Sequence, residues 1–382
     1  MKNNYLNFIE IDRKNLLWNL KCIKKVLKKN TGILPVVKAN AYGHSLEKVV
    51  TILKGEDIFG FGVNSLEEGI EVRKLCGNRI ILLGGLLNSE LHFLFEYNLE
   101  PTVFRIDTLK FLEDTGAKKN KIIKVHLKVE TGTNRQGVDF NEIAGFLEFF
   151  KKSRFVRLEG LSTHFANIED TTNHTYAFKQ KNEYKKFLKL FKKNKIDIHC
   201  KHIACSAAGL LFPDTHYNFI RLGISLYGLW PSKETYLSCL LKHKNIVELK
   251  PVLSWKTKIV QLKNVSHGKY VGYGCTYKTT NKTKLAILPI GYYDGYDRKL
   301  SNQGFVIIRG KRAPVCGRVC MNITIVDVTD IFGVSVEDEV ILIGRSADES
   351  ITADDIARMT GTINYEVVSR LNPLIPRIVI ND

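Results

Sequence analysis

The spacing of apolar residues changes along the chain. In roughly the first two thirds, short apolar runs alternate with longer stretches in which apolar residues recur every three or four positions. Leu16, Leu20 and Ile23 show this helical spacing, and Asp12 precedes them as a helix cap. The run ILPVVKA, residues 33–39, then has the composition of a buried strand. This alternation predicts successive strand–helix units.

Seven further apolar runs have the length and composition of strands, with helical patterns between most of them. They are residues 58–63, 79–84, 100–104, 122–130, 156–165, 198–204 and 218–224. Together with residues 33–39 they make eight, and right-handed connections close eight parallel strands into a barrel most economically. We therefore predict an α/β fold with an eight-stranded (β/α)8 TIM-type barrel. An open doubly wound sheet is the alternative.

After about residue 245 the pattern changes to strand-like runs separated by short turns. These runs are residues 251–262, 284–290, 304–310, 313–328 and 339–344. One helix is predicted among them, beginning after Thr352 and with Asp355 in the capping-box position. We expect a barrel domain over residues 1–243 and a mainly β domain over residues 244–382.

Composition restricts the class of protein further. The chain has 382 residues, of which 44% are hydrophobic and 25% charged, as is typical of folded globular proteins. A net charge of +18 invites a nucleic-acid partner. However, the lysines fall mostly on the predicted outer faces of helices and no nucleic-acid motif accompanies them. We therefore expect a solvated basic surface and no nucleic-acid partner.

The sequence also indicates a compartment. Its beginning lacks the basic and apolar segments of a secretory signal, and no run approaches the roughly 20 apolar residues that cross a membrane. The eight cysteines show no paired spacing, and the nearest two, Cys316 and Cys320, fall in a predicted strand region. We expect a cytoplasmic protein with no membrane segment and no bound metal.

Lys38 ends the first predicted barrel strand, in VVKANAYGHS. Polar residues at the carboxyl ends of barrel strands converge on the active site. A lysine rarely enters a protein interior unless it is paired or chemically engaged. Taken alone, Lys38 is explained equally well by a side chain that extends to the rim of the barrel.

The segment PVVKANAYGHS closely resembles the cofactor-lysine motif of the alanine racemase family, and eight further segments resemble that family in the same order. They are FGVNSLEEG, HLKVETG with NRQG, LSTHFA, RLGISLYG, GYGCTY, PIGYYDG, GRVCMN and TINYE. The family combines a barrel that binds pyridoxal 5′-phosphate (PLP) with a β domain, in agreement with the apolar spacing. The resemblance implies an enzyme that interconverts L- and D-alanine and supplies D-alanine for peptidoglycan.

The resemblance also implies two proton carriers on opposite faces of the external aldimine that PLP forms with the substrate. Lys38 holds PLP as a Schiff base and serves one face. Tyr273 of GYG serves the other face, from the second subunit of a homodimer whose active sites are shared. Because a phenol is a poor base at its ordinary pKa of about 10, positive charge or hydrogen bonds must favour its phenolate.

His164 and Arg221 match family residues that contact the catalytic tyrosine and the pyridine nitrogen respectively. An arginine keeps its proton, so the ring stays a weaker electron sink, which favours racemisation over transamination or decarboxylation. Without the resemblance, a rim histidine bonded to a carbonyl and an arginine in a salt bridge would explain them better. Arg221 argues against PLP decarboxylases, which carry an acidic residue there, and the β domain argues against non-catalytic PLP-binding homeostasis proteins.

The remaining implied contacts concern the phosphate and the substrate. The residues that match phosphate contacts are Tyr42, Ser206, Gly223, Ile224 and Tyr365. Arg135 matches an arginine that meets the substrate carboxylate, and Met321 a substrate contact from the second subunit. Lys128 matches a lysine that is often carbamylated and then holds that arginine. Unmodified, Lys128 would carry an unpaired ammonium into the barrel.

Three departures from the family pattern stand near these residues. Cys205 and Asn322 replace a common asparagine and a common aspartate, and Thr133–Asn134 replaces a methionine-containing pair. Because the proton carriers are retained, we expect altered affinity or rate and the same reaction. The bulk of Tyr365 resembles alanine-type members, so alanine is the expected substrate. A serine or broader-specificity racemase is the alternative.

Overall fold

We describe the protein from a computed structural model over residues 5–242 and 247–381. These residues form two compact units that alternate along the chain. The barrel unit contains residues 17–39, 49–242 and 247–250, and the β unit contains residues 5–16, 40–48 and 251–381. The boundary predicted at residues 243 and 244 stays a prediction, since residues 243–246 lie outside the described part.

The described residues contain twenty strands, numbered in chain order. They are β1 (Asn7–Asp12), β2 (Gly32–Pro35), β3 (Phe61–Val63), β4 (Ile80–Leu82), β5 (Glu100–Val103), β6 (Ile123–Lys128), β7 (Val156–Ser162), β8 (Cys200–His202), β9 (Phe219–Leu222), β10 (Leu253–Lys258), β11 (Gln261–Val265), β12 (Tyr270–Val271), β13 (Tyr277–Lys278), β14 (Thr283–Leu288), β15 (Phe305–Ile308), β16 (Lys311–Pro314), β17 (Thr324–Asp327), β18 (Glu339–Ser346), β19 (Glu349–Ile351) and β20 (Arg377–Ile380).

Twelve helical segments lie between these strands in the described residues. They are α1 (Arg13–Val26), α2 (Lys38–Tyr42), α3 (Leu46–Leu53), α4 (Leu66–Leu75), α5 (Leu91–Glu96), α6 (Ile106–Lys119), α7 (Ile143–Lys152), α8 (Thr175–Lys193), α9 (Ser206–Leu211), α10 (Lys233–Lys242), α11 (Ala353–Thr360) and α12 (Asn364–Ser369). None of these helices combines the length and the apolar character that crossing a bilayer requires.

The barrel unit contains the eight strands predicted from the apolar runs, β2–β9. Strands β3 to β8 are neighbours in chain order, and each pairs in parallel with the next. β2 pairs in parallel with β9. Two backbone hydrogen bonds close the circle: Val37 N donates to Gly62 O (2.8 Å) and Arg221 N donates to Ala204 O (2.9 Å). The predicted eight-stranded barrel is confirmed, and the open-sheet alternative is wrong.

The lysines assigned to outer helix faces are exposed. They are Lys24, Lys25, Lys28, Lys29, Lys185, Lys186, Lys189 and Lys192. Lys28 and Lys29, however, lie after the end of α1 at Val26 and so not on a helix. In α8 the aromatic residues Tyr184, Phe187 and Phe191 are buried. The helix therefore presents an apolar face to the core and a basic face to water, as the spacing predicted.

The β unit contains a mixed sheet, in which β1 and β20 pair in parallel and the other pairs are antiparallel, a three-stranded antiparallel sheet and the short antiparallel pair β12-β13. The larger sheet has the order β16-β15-β18-β10-β1-β20, with β19 paired to the end of β18, and the smaller has the order β11-β14-β17. In the larger sheet Ile9 of β1 lies opposite Trp255 of β10 and beside Arg377 of β20. Ile9 and Trp255 are buried. The predicted mainly β C-terminal region is confirmed.

Two parts of the predicted strand pattern are wrong. Residues 251–262 are not a single strand, because β10 ends at Lys258 and β11, which belongs to another sheet, begins at Gln261. Residues 313–328 are not a single strand, because the chain leaves β16 after Pro314 and re-enters β17 at Thr324. Gly317 turns the chain with a φ of 81°, and a Cβ atom there would lie 2.6 Å from the carbonyl oxygen of Val271. Cys316 and Cys320 therefore lie in a loop and not in a strand.

The predicted start of α11 is confirmed together with its cap. The Thr352 hydroxyl accepts a hydrogen bond from Asp355 N (3.0 Å), and the Asp355 carboxylate accepts one from Thr352 N (2.9 Å). Aspartate thus completes the capping box in place of the usual glutamate.

We predict that Thr352→Ala destabilises the protein by about 1 kcal/mol, because the backbone N–H of Asp355 at the start of α11 loses its side-chain acceptor. Chemical denaturation of the variant and the wild type checks this value. Thr280→Ala, at an exposed position of the same unit, is the control and should change the free energy of unfolding little. Equal stability of both variants would contradict the role of the cap.

Candidate active site

A cavity of about 450 Å³ opens at the carboxyl ends of the barrel strands and is called the barrel pocket. Five of its lining residues were predicted from the sequence: Lys38, Lys128, Arg135, His164 and Arg221. The other lining residues were not predicted from the sequence; they are Asn64, Leu83, Thr102, Gln136, Ser162, Thr163 and His202. Residues from all eight strands, or from positions just after them, converge here, and all but Leu83 are polar.

Lys38 is held by an unusual backbone. The four residues after it, Ala39, Asn40, Ala41 and Tyr42, all have φ between 53° and 54°, so α2 is a left-handed turn. Left-handed helical conformation costs roughly 1–2 kcal/mol per residue for L-amino acids. The Glu68 carboxylate stabilises the turn, because it accepts hydrogen bonds from Ala39 N (2.6 Å) and Asn64 N (2.8 Å).

The Lys38 amine is in a setting that favours its neutral form. Burial lowers the pKa of Lys38, and the positive charges of Arg135 and Arg221 lower it further, while Glu68 opposes them. A neutral amine carries the lone pair that attacks a carbonyl carbon, so this position suits a lysine that forms an imine.

Arg221 is a buried cation that the barrel holds through its backbone. Its guanidinium donates to the carbonyl oxygens of Thr163 (2.8 Å), His202 (2.8 Å) and Ile203 (3.1 Å). It also donates to the Nδ1 atoms of His202 (2.8 Å) and His164 (3.2 Å). Burial lowers the pKa of Arg221 to about 10, so the group stays protonated at neutral pH.

These bonds use both terminal nitrogens of Arg221. Within the described part of the chain, its Nε–H donates to no protein group. Because Arg221 lines the barrel pocket, this N–H is the donor available to a molecule bound there. A pyridine nitrogen, which is an acceptor when unprotonated, fits that donor.

His164 is oriented by the same guanidinium. Its Nδ1 accepts from Arg221, so the ring proton lies on Nε2. Burial lowers the pKa of His164 well below its usual range, and Arg221 and Arg135 lower it further. His164 is therefore neutral at physiological pH, with an N–H available on the far side of its ring.

Arg135 lies on a loop that one carboxylate organises. Glu130 accepts hydrogen bonds from the backbone amides of Thr131 (2.8 Å), Gly132 (2.6 Å), Thr133 (2.5 Å) and Arg135 (3.4 Å). Burial alone would raise the pKa of Glu130, but these amides hold it below its usual value. The loop that carries Arg135 is thereby fixed to the end of β6.

Lys128, the last residue of β6, has a partner that the sequence analysis missed. Its Nζ donates to Gln136 Oε1 (3.2 Å), so the amine has a neutral hydrogen-bond partner, and the expectation of an ammonium without a counter-charge stays a prediction. Burial and the charges of Arg221 and Arg135 lower the pKa of Lys128 to about 8. An appreciable fraction of this amine is therefore neutral near neutral pH.

The residues matched to phosphate contacts fall into two groups. In the barrel unit, Gly223 N donates to Ser206 Oγ (3.0 Å), and Ile224 begins a short 3₁₀ turn directly after β9. In the β unit, the rings of Tyr42 and Tyr365 lie 6.1 Å apart between their centroids.

Tyr273 and Met321 belong to the β unit and are exposed to 74% and 55% respectively. Tyr273 stands on a tight turn between Gly272 and Gly274, whose φ values are 74° and 73°. A side chain at Gly274 would lie 2.8 Å from the Arg318 guanidinium, so glycine lets that cation approach the turn. The loop thus presents a large aromatic residue to the outside.

Two of the departures from the family pattern have defined contacts. Thr133 Oγ1 donates to the carbonyl oxygen of His164 (2.7 Å), so threonine joins the Arg135 loop to the end of β7. Cys205 Sγ lies 3.6 Å from Glu169 Oε1, and burial raises the pKa of the thiol to about 12. Asn322 is exposed in the β unit.

His202 and Gln136 are the functional candidates that sequence reasoning missed. His202 closes β8, in a position equivalent to Lys128 at the end of β6, and the rule of polar residues at strand ends could have found it. Gln136 follows Arg135 directly, and nothing in its sequence position marks it as the partner of Lys128.

The pocket fits PLP on three observations. Its volume accommodates a small cofactor, its surroundings lower the pKa of the Lys38 amine, and the Arg221 Nε–H offers a donor to a pyridine nitrogen. A lysine with these surroundings at the mouth of a (β/α)8 barrel defines the class of PLP-dependent barrel enzymes.

Comparisons with known proteins agree with this class. The family model for the alanine racemase N-terminal domain matches residues 11–231, and that for the C-terminal domain matches residues 252–379. The alanine racemase of Halothermothrix orenii is 43% identical over 96% of this chain and 95% of its own length. That of Leptospira interrogans serovar copenhageni is 38% identical over 100% of this chain and 97% of its own.

Solved structures show the same likeness. The alanine racemase from Bacillus anthracis with bound L-Ala-P has a TM-score of 0.92 and 31% identity, covering 100% of this chain and 97% of that one. The alanine racemase of Clostridium difficile 630 has a TM-score of 0.91 and 32% identity, covering 99% and 97%. The chain belongs to the alanine racemase family. It is a PLP-dependent isomerase that racemises alanine.

We predict that Glu130→Gln lowers the free energy of unfolding at neutral pH by about 1–3 kcal/mol, because an amide replaces a charged acceptor of four backbone N–H groups. The folded pKa of Glu130 lies below its ordinary value of 4.5. Its stabilisation is therefore present above pH 4.5 and is lost as the pH falls through the folded value.

Denaturation of Glu130→Gln and wild type at several pH values measures this difference, which should shrink on acidification. Glu148→Gln is the control, since that exposed carboxylate pairs with the equally exposed Lys152. A stability difference that is independent of pH would contradict the proposed role of the carboxylate.

Proposed function

We propose that Lys38 and Tyr273 are the two proton carriers of this alanine racemase, and that Tyr273 comes from the partner subunit of a homodimer. The observation that carries the proposal is the pairing in one pocket of the Lys38 amine with an Arg221 N–H that donates to no described protein group. When bound, PLP acidifies the Cα–H of an amino acid whose amino group is joined to it.

Lys38 supports this role by its position and its charge. It lies at the carboxyl end of a barrel strand, and burial and neighbouring cations lower the pKa of its amine. With PLP bound, the Lys38 amine would be able to take a proton from the substrate Cα atom or return one to it.

Tyr273 supports the second role by its exposure in a single chain. Large exposed aromatic and aliphatic residues of the β unit also include Tyr292, Tyr293, Met321, Ile363 and Leu374. Exposed residues of this kind are typical of protein interfaces. His164, with its proton on Nε2, is the residue for which we propose a hydrogen bond to the tyrosine oxygen.

For the cofactor we propose contacts that follow the chemistry of each group. Arg221 donates to the pyridine nitrogen, and its retained proton limits the ring as an electron sink. Within the barrel unit we propose that the Ser206 hydroxyl and the backbone at Gly223 and Ile224, directly after β9, bind the phosphate. Tyr42 and Tyr365 stay contacts that the family resemblance implies.

For the substrate we propose that the Arg135 guanidinium binds the carboxylate and that Met321 of the partner subunit contacts the side chain. The Glu130-bound loop fixes the backbone of Arg135, so its side chain begins from a defined position. Alanine is the preferred substrate and serine a weaker one, because a single hydroxyl in a small pocket changes binding by only about 1–3 kcal/mol.

Lys128 is proposed to be carbamylated. The lowered pKa leaves part of its amine neutral, and a neutral amine adds to CO₂ to give a carbamate and a proton. The new negative charge would lie among Arg135, Arg221 and Lys38, all of which act electrostatically on Lys128. It would accept a hydrogen bond from Arg135 and offset the positive charge of the pocket.

The cellular role proposed is the supply of D-alanine for peptidoglycan in the cytoplasm. It rests on the reaction itself, since D-alanine is the product, and on the family's usual role. The absence of a suitable membrane-spanning helix among the described residues does not conflict with it.

We predict that Lys38→Ala abolishes the absorbance of the lysine–PLP imine and that Tyr273→Phe keeps it. Both variants should lose activity by about 10²–10⁴-fold or more, because each lacks one acid/base group. The measurement follows the Cα proton and the optical rotation of L-alanine in deuterated water. Tyr277→Phe, a nearby tyrosine in the same unit, is the control and should stay active. Full activity of Tyr273→Phe would contradict the two-carrier proposal.

Mixing the two inactive variants tests the shared active site. A heterodimer of Lys38→Ala and Tyr273→Phe subunits contains one active site with both natural residues if Tyr273 acts across the interface. Random mixing would then restore about a quarter of the wild-type activity, since half of the dimers are mixed and each has one intact site. No restoration, with mixed dimers demonstrated by mass spectrometry, would place both carriers in one subunit.

We predict that ¹³C-bicarbonate produces a carbamate NMR signal in the wild type that is absent in Lys128→Ala. Lys124→Ala is the matched control, because Lys124 lies on the same strand with 44% of its side chain exposed. The signal should persist in that variant. An unlabelled Lys128 at saturating bicarbonate would show that the amine is unmodified.

A further inference from the structure

A line of buried polar side chains continues from Arg221 through the interior of the barrel. His202 Nδ1 accepts from Arg221 (2.8 Å), and His202 Nε2 lies 3.0 Å from His126 Nδ1. His126 Nε2 lies 3.0 Å from Glu100 Oε2, and Arg79 Nε donates to Glu100 Oε1 (2.8 Å). Arg79 and Glu100 stand at the amino ends of β4 and β5, so the line runs from there to the pocket.

The two ends of this line determine where every proton lies. Arg221 only donates, so His202 Nδ1 is an acceptor and the His202 proton lies on Nε2. That N–H donates to His126 Nδ1, which places the His126 proton on its Nε2. The second N–H then donates to Glu100, a carboxylate that only accepts. All bonds therefore point from Arg221 to Glu100, and both histidines are neutral.

Electrostatics and burial agree with this assignment. Burial lowers the pKa of His202 well below its usual range, and Arg221 and His126 lower it further. Glu100 is 12% exposed at its side chain and shares Arg79 with Glu159. Two arginines and two glutamates thus balance the charge of the line, as buried ions require.

The packing of the barrel holds the two imidazoles in place. His202 stacks on Phe219 with 4.4 Å between ring centroids, and Phe219 stacks on Phe59 at 4.1 Å. Arg79 lies over the Phe59 ring at 4.8 Å. Beside His126, a Cβ atom at position 160 would lie 2.0 Å from Nδ1, so Gly160 provides the space for the ring.

The interior of a TIM-type barrel is usually filled by branched apolar side chains. A polar line across it buries charged groups that are costly unless each is bonded. The side chains of this line are hydrogen-bonded to one another from end to end, and the line ends at Arg221. These two features indicate a function in addition to packing.

We propose that Glu100 is a positioning residue for racemisation, which fixes the tautomers of His126 and His202 and thereby orients the Arg221 guanidinium toward the pocket. This inference rests on the proposed contact between Arg221 and the pyridine nitrogen. Glu100 does not touch the cofactor or substrate; it acts through the two histidines.

Replacing Glu100 by glutamine should change the tautomers of both histidines. Because Arg79 only donates, the amide oxygen of the new side chain must face Arg79. The amide NH₂ then faces His126 Nε2, which must accept a hydrogen bond from it. The protons of His126 and then His202 move to Nδ1. His202 would present an N–H to Arg221, which is itself a donor, and the bond between them would be lost.

The experiment records ¹⁵N NMR spectra of histidine-labelled protein, which distinguish protonated from unprotonated ring nitrogens, with and without PLP. We expect Nε2–H for both residues in the wild type and in Glu113→Gln. That control removes a carboxylate bonded to Ser153 and to backbone amides elsewhere in the barrel unit. In Glu100→Gln we expect Nδ1–H, and PLP bound on the order of tenfold more weakly, as for residues that orient metal-binding histidines.

The outcomes separate this inference from the proposed function. An Nδ1–H tautomer at either histidine of the wild type overturns the inference, even if Glu100→Gln fails to fold. Unchanged tautomers in Glu100→Gln also overturn it. If Glu100→Gln binds PLP as tightly as the wild type while Arg221→Lys binds it more weakly, the inference is overturned and the proposed function is not. If Arg221→Lys also binds PLP normally, the pyridine contact is wrong and the inference falls with it.

Discussion

The burial of one cation, Arg221, is the constraint on which the arrangement of the pocket depends. A guanidinium leaves water only if its N–H groups find acceptors. Three carbonyl oxygens, from residues 163, 202 and 203, supply them where the chain leaves β7 and β8. Those carbonyls are available because the parallel strands have ended, so the fold itself creates the binding place for this charge.

A second consequence of that burial is electrostatic. Burial is the largest cause of the lowered pKa values of the Lys38 and Lys128 amines, and the positive charges of Arg221 and Arg135 lower them further. The pocket therefore carries a concentration of positive charge. This charge attracts anions and also lowers the pKa of the lysines in the pocket. Both properties suit a phosphorylated cofactor and a substrate carboxylate.

The sequence was sufficient for the barrel and for much of the pocket, because apolar runs and strand-end polar residues are local signals. It was misleading at Cys316, where alternating apolar residues imitate a strand that Gly317 interrupts. No local signal in the sequence indicated the line of hydrogen-bonded side chains from Arg221 to Glu100. His126 and His202 are 76 positions apart, and only the fold of the barrel brings His126 Nδ1 within 3.0 Å of His202 Nε2.

The placement of β1 has a consequence for biosynthesis. This first strand of the chain pairs with β10 and with β20, so its two neighbours are Leu253–Lys258 and Arg377–Ile380. An emerging chain folds from its N-terminal end as it is made. β1 must nevertheless wait for the synthesis of Arg377–Ile380 before its sheet is complete. Loss of β20 would therefore expose an edge of a strand that was synthesised long before it.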